Sequence, residues 1–326
     1  MMKTVIPKRI AGKCAAALQR VITGLKPFKP YVRWVILGGV LFFLAQALKD
    51  NWCEVMAIHV NRAGFACLMI SLGVTLLAHI WSGWVWSWIV EEFNQSSDGV
   101  WGVQVYLKTN IAKYLPGNVW HFYGRVRAVQ ELGVSSGNAI LSVLMEPMLM
   151  AAAAILIALL SSQQRWGVQV IPLAAVLICI HPRILNPVLL RISQTKAKMQ
   201  GLGEPDTSPK VKRYPLRPLL GEIGFVFLRG LGFVLAVLAL KTISPLQILP
   251  LISAFSLAWV FGLVVPGAPG GVGVFEATAI ALLNNQLSTG VILGSVAFYR
   301  LISTLAEAGG AGLVWLDERW SQRLVS

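Results

Sequence analysis

Residues 65–90 read FACLMISLGVTLLAHIWSGWVWSWIV, an apolar stretch that contains no Asp, Glu, Lys or Arg. A helix needs about 20 residues to cross the hydrocarbon core of a bilayer, so this stretch is long enough to span it. Because backbone groups in lipid must hydrogen-bond within the segment, the stretch predicts a transmembrane helix. Trp81, Trp84, Trp86 and Trp88 crowd its end, which is typical of the aromatic belt at a membrane–water interface.

The rest of the chain has the same character. Hydrophobic residues make up 56% of the 326 positions and charged residues only 13%, which is too little charge for the surface of a soluble fold. Six further apolar runs predict membrane-spanning helices, at 32–48, 138–160, 168–190, 219–240, 246–265 and 291–316. We therefore predict an all-α, polytopic membrane protein with about seven to eight transmembrane helices.

The net charge of +14 is concentrated in two blocks. Residues 1–33 carry eight Lys or Arg and no acid, and residues 191–217 carry seven against Glu204 and Asp206. Beside long apolar spans, such blocks indicate retention on the cytoplasmic side of a membrane rather than nucleic-acid binding. An even number of predicted spans separates the two blocks, so both fall on the same side. The sequence predicts a multi-pass protein of the cell (inner) membrane with a cytoplasmic N-terminus and no nucleic-acid partner.

The charge blocks also divide the chain. We predict a basic cytoplasmic segment at 1–31, one polytopic membrane domain at 32–316 and a short tail at 317–326. Within the domain, the basic loop 191–218 joins two halves that are candidates for a pseudo-repeat, at 32–190 and 219–316. This loop is also the expected contact for a cytoplasmic partner, and self-association into a homo-oligomer stays open beside it.

The cysteines do not indicate a metal or disulfide framework. Cys14, Cys53, Cys67 and Cys179 are not at metal-ligand spacing, and three of them lie in or near apolar runs. Gly271-Val272-Gly273 is preceded by no strand and is not a dinucleotide fingerprint. We therefore expect no metal and no cofactor.

The first of two unusual segments lies at 101–125 and reads WGVQVYLKTNIAKYLPGNVWHFYGR. It is too polar to cross the membrane alone. Pro116 disfavours helix at the residue before it, and Gly117 permits left-handed backbone. We therefore predict a helix, a break and a second short helix.

The second segment lies at 264–283 and reads VVPGAPGGVGVFEATAIALL. Its prolines and glycines end the sixth predicted span, and a short apolar helix then begins near Glu276. Eight to ten helical residues span only about 15 Å of a core about 30 Å thick. A re-entrant Pro-Gly segment in each half fits these lengths, with a surface loop and an interfacial helix as the alternative. Broken helices of this kind are typical of transporters, where a watery cavity covers the freed backbone groups.

Ionisable side chains inside the membrane segments cost at least ~2.5 kcal/mol each on insertion scales, so they face a partner or a cavity. Those in this sequence are Glu146, Glu222, Arg229, Glu276, Arg300 and Glu307. Seven positions separate Glu222 from Arg229, and seven separate Arg300 from Glu307, so each couple shares one helix face. With the fifth and seventh spans parallel, we expect Glu222 to pair with Arg300 and Arg229 to pair with Glu307.

These charges have two interpretations. They form static ion pairs that fix helix register, or they line a polar path for a lipid headgroup. In the second, Arg125 and Arg300 hold a phosphate by fork geometry, while Glu146 and Glu276 balance the charge of the cavity. We expect His121 to be a satisfied polar residue. His79, alone among tryptophans, is expected at the membrane interface.

The two Pro-Gly segments carry a family resemblance. The run KYLPGNVWH at 113–121, followed by Gly124-Arg125, resembles the first signature of the lysylphosphatidylglycerol synthase transmembrane family, and PGAPGGVGVFE at 266–276 resembles the second. This family includes the flippase domain of the multiple peptide resistance factor. The resemblance implies translocation of a phospholipid or polyprenyl-linked lipid between leaflets, re-entrant segments at both motifs, and functional roles for Arg125 and Glu276.

The membrane lipids that such a protein moves, with anionic headgroups among them, are its expected partners. The candidate lipid path comprises the motif residues and one carboxylate: Lys113, Pro116, Gly117, Trp120, His121, Arg125, Glu146, Pro266, Gly267, Pro269, Gly270, Gly271, Gly273 and Glu276. The charges Glu222, Arg229, Arg300 and Glu307 complete the set of candidate residues.

We expect no enzyme and no catalytic residues. Family members that make lysyl-phosphatidylglycerol have a large soluble aminoacyl-transferase domain after the membrane part, whereas this sequence ends shortly after its last predicted span. The alternative is a membrane-embedded enzyme or an accessory subunit acting on lipid-linked substrates. The sequence shows no HxxxH and no paired-Asp pattern that would favour the enzyme.

Overall fold

The computed structural model describes positions 38 and 42, scattered positions between 174 and 187, and the ranges 45–56, 59–93, 97–114, 119–161, 214–264 and 271–325. Its helices, in chain order, are α1 (Trp52–Met56), α2 (Arg62–Glu91), α3 (Gly99–Asn110), α4 (Trp120–Glu131), α5 (Ser136–Ser161), α6 (Leu216–Leu238), α7 (Pro245–Val264), α8 (Val274–Leu283) and α9 (Thr289–Val325). Within the described ranges all regular structure is helical, which confirms the all-α prediction.

Five of these helices are long and apolar enough to cross a membrane, namely α2, α5, α6, α7 and α9. They coincide with five of the seven predicted spans, so the chain is a multi-pass membrane protein. More than half of each of the predicted spans at 32–48 and 168–190 lies outside the described residues. The segment 1–31 and most of the loop 191–218 lie outside them as well, so the orientation of the protein stays a prediction.

Helices α2 and α6 form the most extensive helix pair. Small residues allow this close approach, because a Cβ on Gly232 would lie 2.7 Å from Thr75 Oγ1 and one on Gly221 would lie 2.5 Å from Val85 Cγ2. Two hydrogen bonds cross the contact: Ser71 Oγ donates to the Gly232 carbonyl at 2.7 Å, and Trp81 Nε1 donates to the Gly221 carbonyl at 2.8 Å. The pair is the central element around which α5, α7 and α9 pack.

An aromatic cluster joins the second half of the chain. It contains Phe233 of α6, Phe255 of α7, Phe275 of α8 and Tyr299 of α9, with ring centroids 5.4–6.3 Å apart. Edge-to-face and offset contacts at these distances are favourable for aromatic rings. The cluster fixes the short helix α8 between α7 and α9.

In both unusual segments the structure describes a helix before and a helix after the residues that are predicted to break it. In the first, α3 continues into a 3₁₀ turn at Ile111–Tyr114 and α4 begins at Trp120. In the second, α7 ends at Val264, and α8 begins at Val274 and packs against α7. The breaks themselves, with Pro116, Gly117, Pro266, Gly267, Pro269 and Gly270, lie outside the described residues.

Helix α9 extends beyond the predicted end of the membrane domain. It continues through residues 317–325 of the predicted tail. Its last turns are fastened to α3, since Lys108 Nζ donates to Glu318 Oε1 at 2.7 Å and Gln104 Nε2 donates to Asp317 Oδ2 at 3.0 Å. These polar turns therefore extend the helix along α3.

Candidate functional site

Helix α9 contacts both broken segments through one face. Arg300 and Glu307 lie seven residues apart on it, which is two helical turns or about 10 Å along the axis. Arg300 Nε is 2.6 Å from Glu276 Oε1 of the second segment, and Glu307 Oε1 is 2.5 Å from Lys113 Nζ of the first. The two motifs, far apart in the sequence, are thus brought to neighbouring positions on one helix.

Glu276 organises the second segment. One carboxylate oxygen pairs with Arg300, and the other, Oε2, accepts a hydrogen bond from the Gly273 amide at 2.6 Å. A Glu at the third helical position that accepts a hydrogen bond from the N-cap amide stabilises the start of a helix. Its negative charge also interacts favourably with the positive N-terminal end of the helix dipole. Arg300 Nη2 also donates to the Gly271 carbonyl at 3.2 Å, so the pair holds the glycine turn as well as the helix.

The glycines of this turn are required by its geometry. Gly271 has φ 70° and Gly273 has φ 82°, a region that side-chain-bearing residues seldom adopt. A Cβ on Gly271 would also lie 2.9 Å from the Cα of Gly262 in α7. The backbone of the turn therefore packs directly against α7 near the end of that helix.

The first segment is held at the 3₁₀ turn immediately before its break. Besides the Lys113 pair, the Tyr114 hydroxyl donates to Glu307 Oε2 at 2.9 Å and lies 3.1 Å from Thr304 Oγ1. Lys113 and Tyr114 together occupy both oxygens of Glu307. The turn is therefore anchored to α9 at two adjacent residues.

His79 also belongs to this cluster, which corrects its predicted place at the membrane interface. The side chain is buried in the middle of α2, with Nε2 3.2 Å from Glu307 Oε1 and 3.3 Å from Arg229 Nη1. The predicted Arg229–Glu307 pair is therefore mediated by an imidazole. If Nε2 carries a proton, it donates to the Glu307 carboxylate; if it carries none, it accepts from the Arg229 guanidinium. The protonation of Nε2 therefore decides which of the two contacts is a hydrogen bond.

Arg125 and Glu146 form a second buried pair. Arg125 Nη1 lies 2.5 Å from Glu146 Oε2, and the two side chains are only 3% and 2% exposed. The guanidinium is also covered by the Tyr106 ring, with its carbon 3.8 Å from the ring centroid, and Nε donates to Thr109 Oγ1 at 3.3 Å. This pair joins α3, α4 and α5 and leaves Arg125 as a whole only 2% exposed.

The predicted pairing of Glu222 with Arg300 is wrong. Arg300 contacts Glu276, and neither carboxylate oxygen of Glu222 has a hydrogen-bond partner among the described residues. The reason lies in the rotation of α9: Tyr299 is the residue that faces α6, through Phe233 and Arg229, and the next position is turned about 100° away toward α8.

The aromatic residues after the first break differ in exposure. Trp120 is half exposed and stacks edge-on with Tyr123, whereas His121 is almost buried. The expectation that His121 is satisfied is wrong at Nδ1, which has no hydrogen-bond partner among the described residues. Burial, with the charges of Arg125 and Lys113, lowers the pKa of His121 to about 4, so the ring is neutral at pH 7.

Sequence reasoning missed three residues that complete these contacts, namely His79, Tyr106 and Tyr114. The two tyrosines carry a usable signal, because each lies in a segment too polar to be a span. His79 stands in an otherwise apolar helix, and nothing near it in the sequence indicates its partners.

Within the described part of the chain, no three His, Cys, Asp or Glu side chains converge so as to hold a metal ion. Comparison with protein-family models gives no match, and comparison with curated proteins gives no significant match.

Proposed function

We propose that this protein translocates a phospholipid or a polyprenyl-linked lipid between the leaflets of the inner membrane. The observation that carries the proposal is the convergence of both broken segments on one face of α9, through Lys113–Glu307 and Glu276–Arg300. A helix bundle with a purely structural role would not require two interrupted helices at one site. In transporters, such interruptions lie around the substrate site and supply it with unpaired backbone groups.

The distribution of charge supports a lipid with an anionic headgroup. Each broken segment is held by an exchangeable ion pair, and each pair contains a cation that binds phosphate well. The two arginines differ in access, because the Arg300 side chain is 34% exposed whereas Arg125 is almost fully buried. Arg300 is therefore the more accessible of the two arginines for a headgroup, and a phosphate that replaces Glu276 there would also weaken the hold of Arg300 on the glycine turn.

The resemblance of both motifs to a flippase-like family supports the same function. The motif residues Lys113, Arg125 and Glu276 each form one of the ion pairs, and the carboxylates that pair with Lys113 and Arg125 are almost fully buried. A fixed surface loop would not require buried counter-ions for its basic residues.

The test is a leaflet-exchange assay in proteoliposomes, in which a membrane-impermeant reagent quenches fluorescent lipid in the outer leaflet. We expect the purified protein to expose inner-leaflet lipid faster than empty liposomes. Arg300→Gln should lower the rate at least tenfold, whereas Glu318→Gln, which breaks an exposed pair on the same helix, should leave the rate unchanged. A wild-type rate equal to that of empty liposomes refutes the proposal.

A further inference from the structure

Glu222 is the most isolated ionisable side chain in the described membrane helices. It is the seventh residue of α6, about 9 Å along the helix from Leu216, and it is 0% exposed. Neither of its oxygens has a hydrogen-bond partner among the described residues. An ionised carboxylate in such a position costs many kcal/mol, and a carboxyl group avoids this cost by keeping its proton.

The nearest charges reinforce this argument. Glu146 acts on Glu222 by repulsion, and Arg125 acts on it by attraction. The positive charge of Arg125 is already matched by Glu146 at 2.5 Å. A second carboxylate beside this pair would leave a net negative charge in the interior, so the two carboxyls and one arginine hold one proton between them.

The other helices that pack against α6 bring no spare cation. Helix α7 contains no ionisable residue. On α2, His79 is engaged by Glu307 and Arg229, and on α9 the residue Arg300 is paired with Glu276. At the N-terminal end of α6, Arg217 pairs with Glu91.

We propose that Glu222 is a proton-binding site, and that Arg125, Glu146 and Glu222 together couple the uptake of one proton to the uptake of one anionic headgroup. This inference rests on the proposed lipid translocation. When a phosphate takes Arg125 as its partner, Glu146 loses the cation that it pairs with while it is still buried. Glu146 then takes up one proton from the bulk solution, so that one negative charge and one proton enter together and the charge of the site is unchanged.

A hydrogen bond between α2 and α3 lies beside this site. Ser82 Oγ donates to the Tyr106 hydroxyl at 2.9 Å, and the Tyr106 ring covers the Arg125 guanidinium that pairs with Glu146. A lipid gradient and a proton gradient would each drive the other through this cluster.

The first experiment does not depend on transport. Infrared spectra of the protein in nanodiscs at neutral pH should contain the carbonyl band of a protonated carboxylic acid, and Glu222→Gln should remove it. Glu276→Gln is the matched control, because the paired Glu276 carboxylate should contribute nothing to this band. A band that survives Glu222→Gln, or one that Glu276→Gln removes instead, overturns the proton site even if lipid exchange is normal.

The second experiment imposes a pH difference across proteoliposomes containing an anionic fluorescent phospholipid. We expect the difference to change the wild-type exchange rate several-fold, and the double variant Glu146→Gln/Glu222→Gln, which keeps no carboxyl beside Arg125 to take up the proton, to exchange lipid at a rate that is independent of it. Glu318→Gln should respond as the wild type does. A wild type that exchanges lipid with no response to the pH difference refutes the coupling while leaving the translocation intact, which also covers the case in which the double variant does not fold.

Discussion

Glu146→Gln tests the electrostatics of the buried cluster. The change removes the carboxylate 2.5 Å from Arg125 and keeps the shape of the side chain. Removing one partner of a fully buried ion pair ordinarily costs about 3–5 kcal/mol, because the other charge is left buried and uncompensated. Here, however, Glu222 lies close enough to act on Arg125 and can give up its proton to replace the missing charge.

The expected magnitudes therefore form a double-mutant cycle. Glu146→Gln alone should destabilise the protein by less than about 3 kcal/mol, and Glu222→Gln alone by about 1 kcal/mol or less, since it replaces one neutral group by another. The double variant leaves Arg125 without any carboxylate and should lose the full 3–5 kcal/mol or so, which exceeds the sum of the single effects.

The assay is reversible unfolding in mixed micelles, followed by circular dichroism over a titration with a denaturing detergent. Glu318→Gln is the control, because the Lys108–Glu318 pair is 62% and 41% exposed and such pairs contribute about 0–1 kcal/mol. Equal stability of the double variant and of Glu146→Gln would show that Glu222 does not replace Glu146. The proton-sharing argument would then be wrong.

Three further changes test the packing around the site. Gly232→Ala places a Cβ 2.7 Å from Thr75 Oγ1 and should destabilise the α2–α6 pair by about 1–3 kcal/mol. The control is Gly73→Ala on α2, where a Cβ meets nothing within 4 Å. In the same unfolding titration it should be neutral or stabilising by up to about 1 kcal/mol. Gly271→Ala should cost more than Gly133→Ala, because both glycines have a positive φ but only Gly271 would meet another backbone; equal losses would mean that the contact with α7 is unimportant. Tyr114→Phe removes one hydrogen bond to Glu307 and should cost about 1.5–3 kcal/mol while also increasing protease cleavage after the 3₁₀ turn, and unchanged cleavage would contradict the anchoring role.

The long spans were predictable because the length of an apolar run is a local property of the sequence. The helices on either side of Pro116-Gly117 and of the glycines around Gly271 were predictable for the same reason, since proline and glycine act on their own backbone. These local signals placed α2, α5, α6, α7 and α9, and also α3, α4 and α8 beside the two Pro-Gly runs.

The partners of the charges were not predictable in the same way. Spacing correctly placed Arg300 and Glu307 on one face, but it did not show which helix that face meets. That choice depends on close packing between distant residues, such as the approach of Gly271 to Gly262 and the aromatic cluster that turns Tyr299 toward α6. His79 was misplaced for a related reason, because a polar residue within an apolar run looks the same whether it faces a headgroup or a buried carboxylate.

The continuity of α9 has a mechanical consequence. It is one continuous helix from Thr289 to Val325, and it pairs with the second Pro-Gly segment at Arg300 and with the first at Glu307. A rotation or shift of α9 as a rigid body would therefore displace the partners of both pairs together. Any movement of one segment that is transmitted through α9 would also reach the other segment.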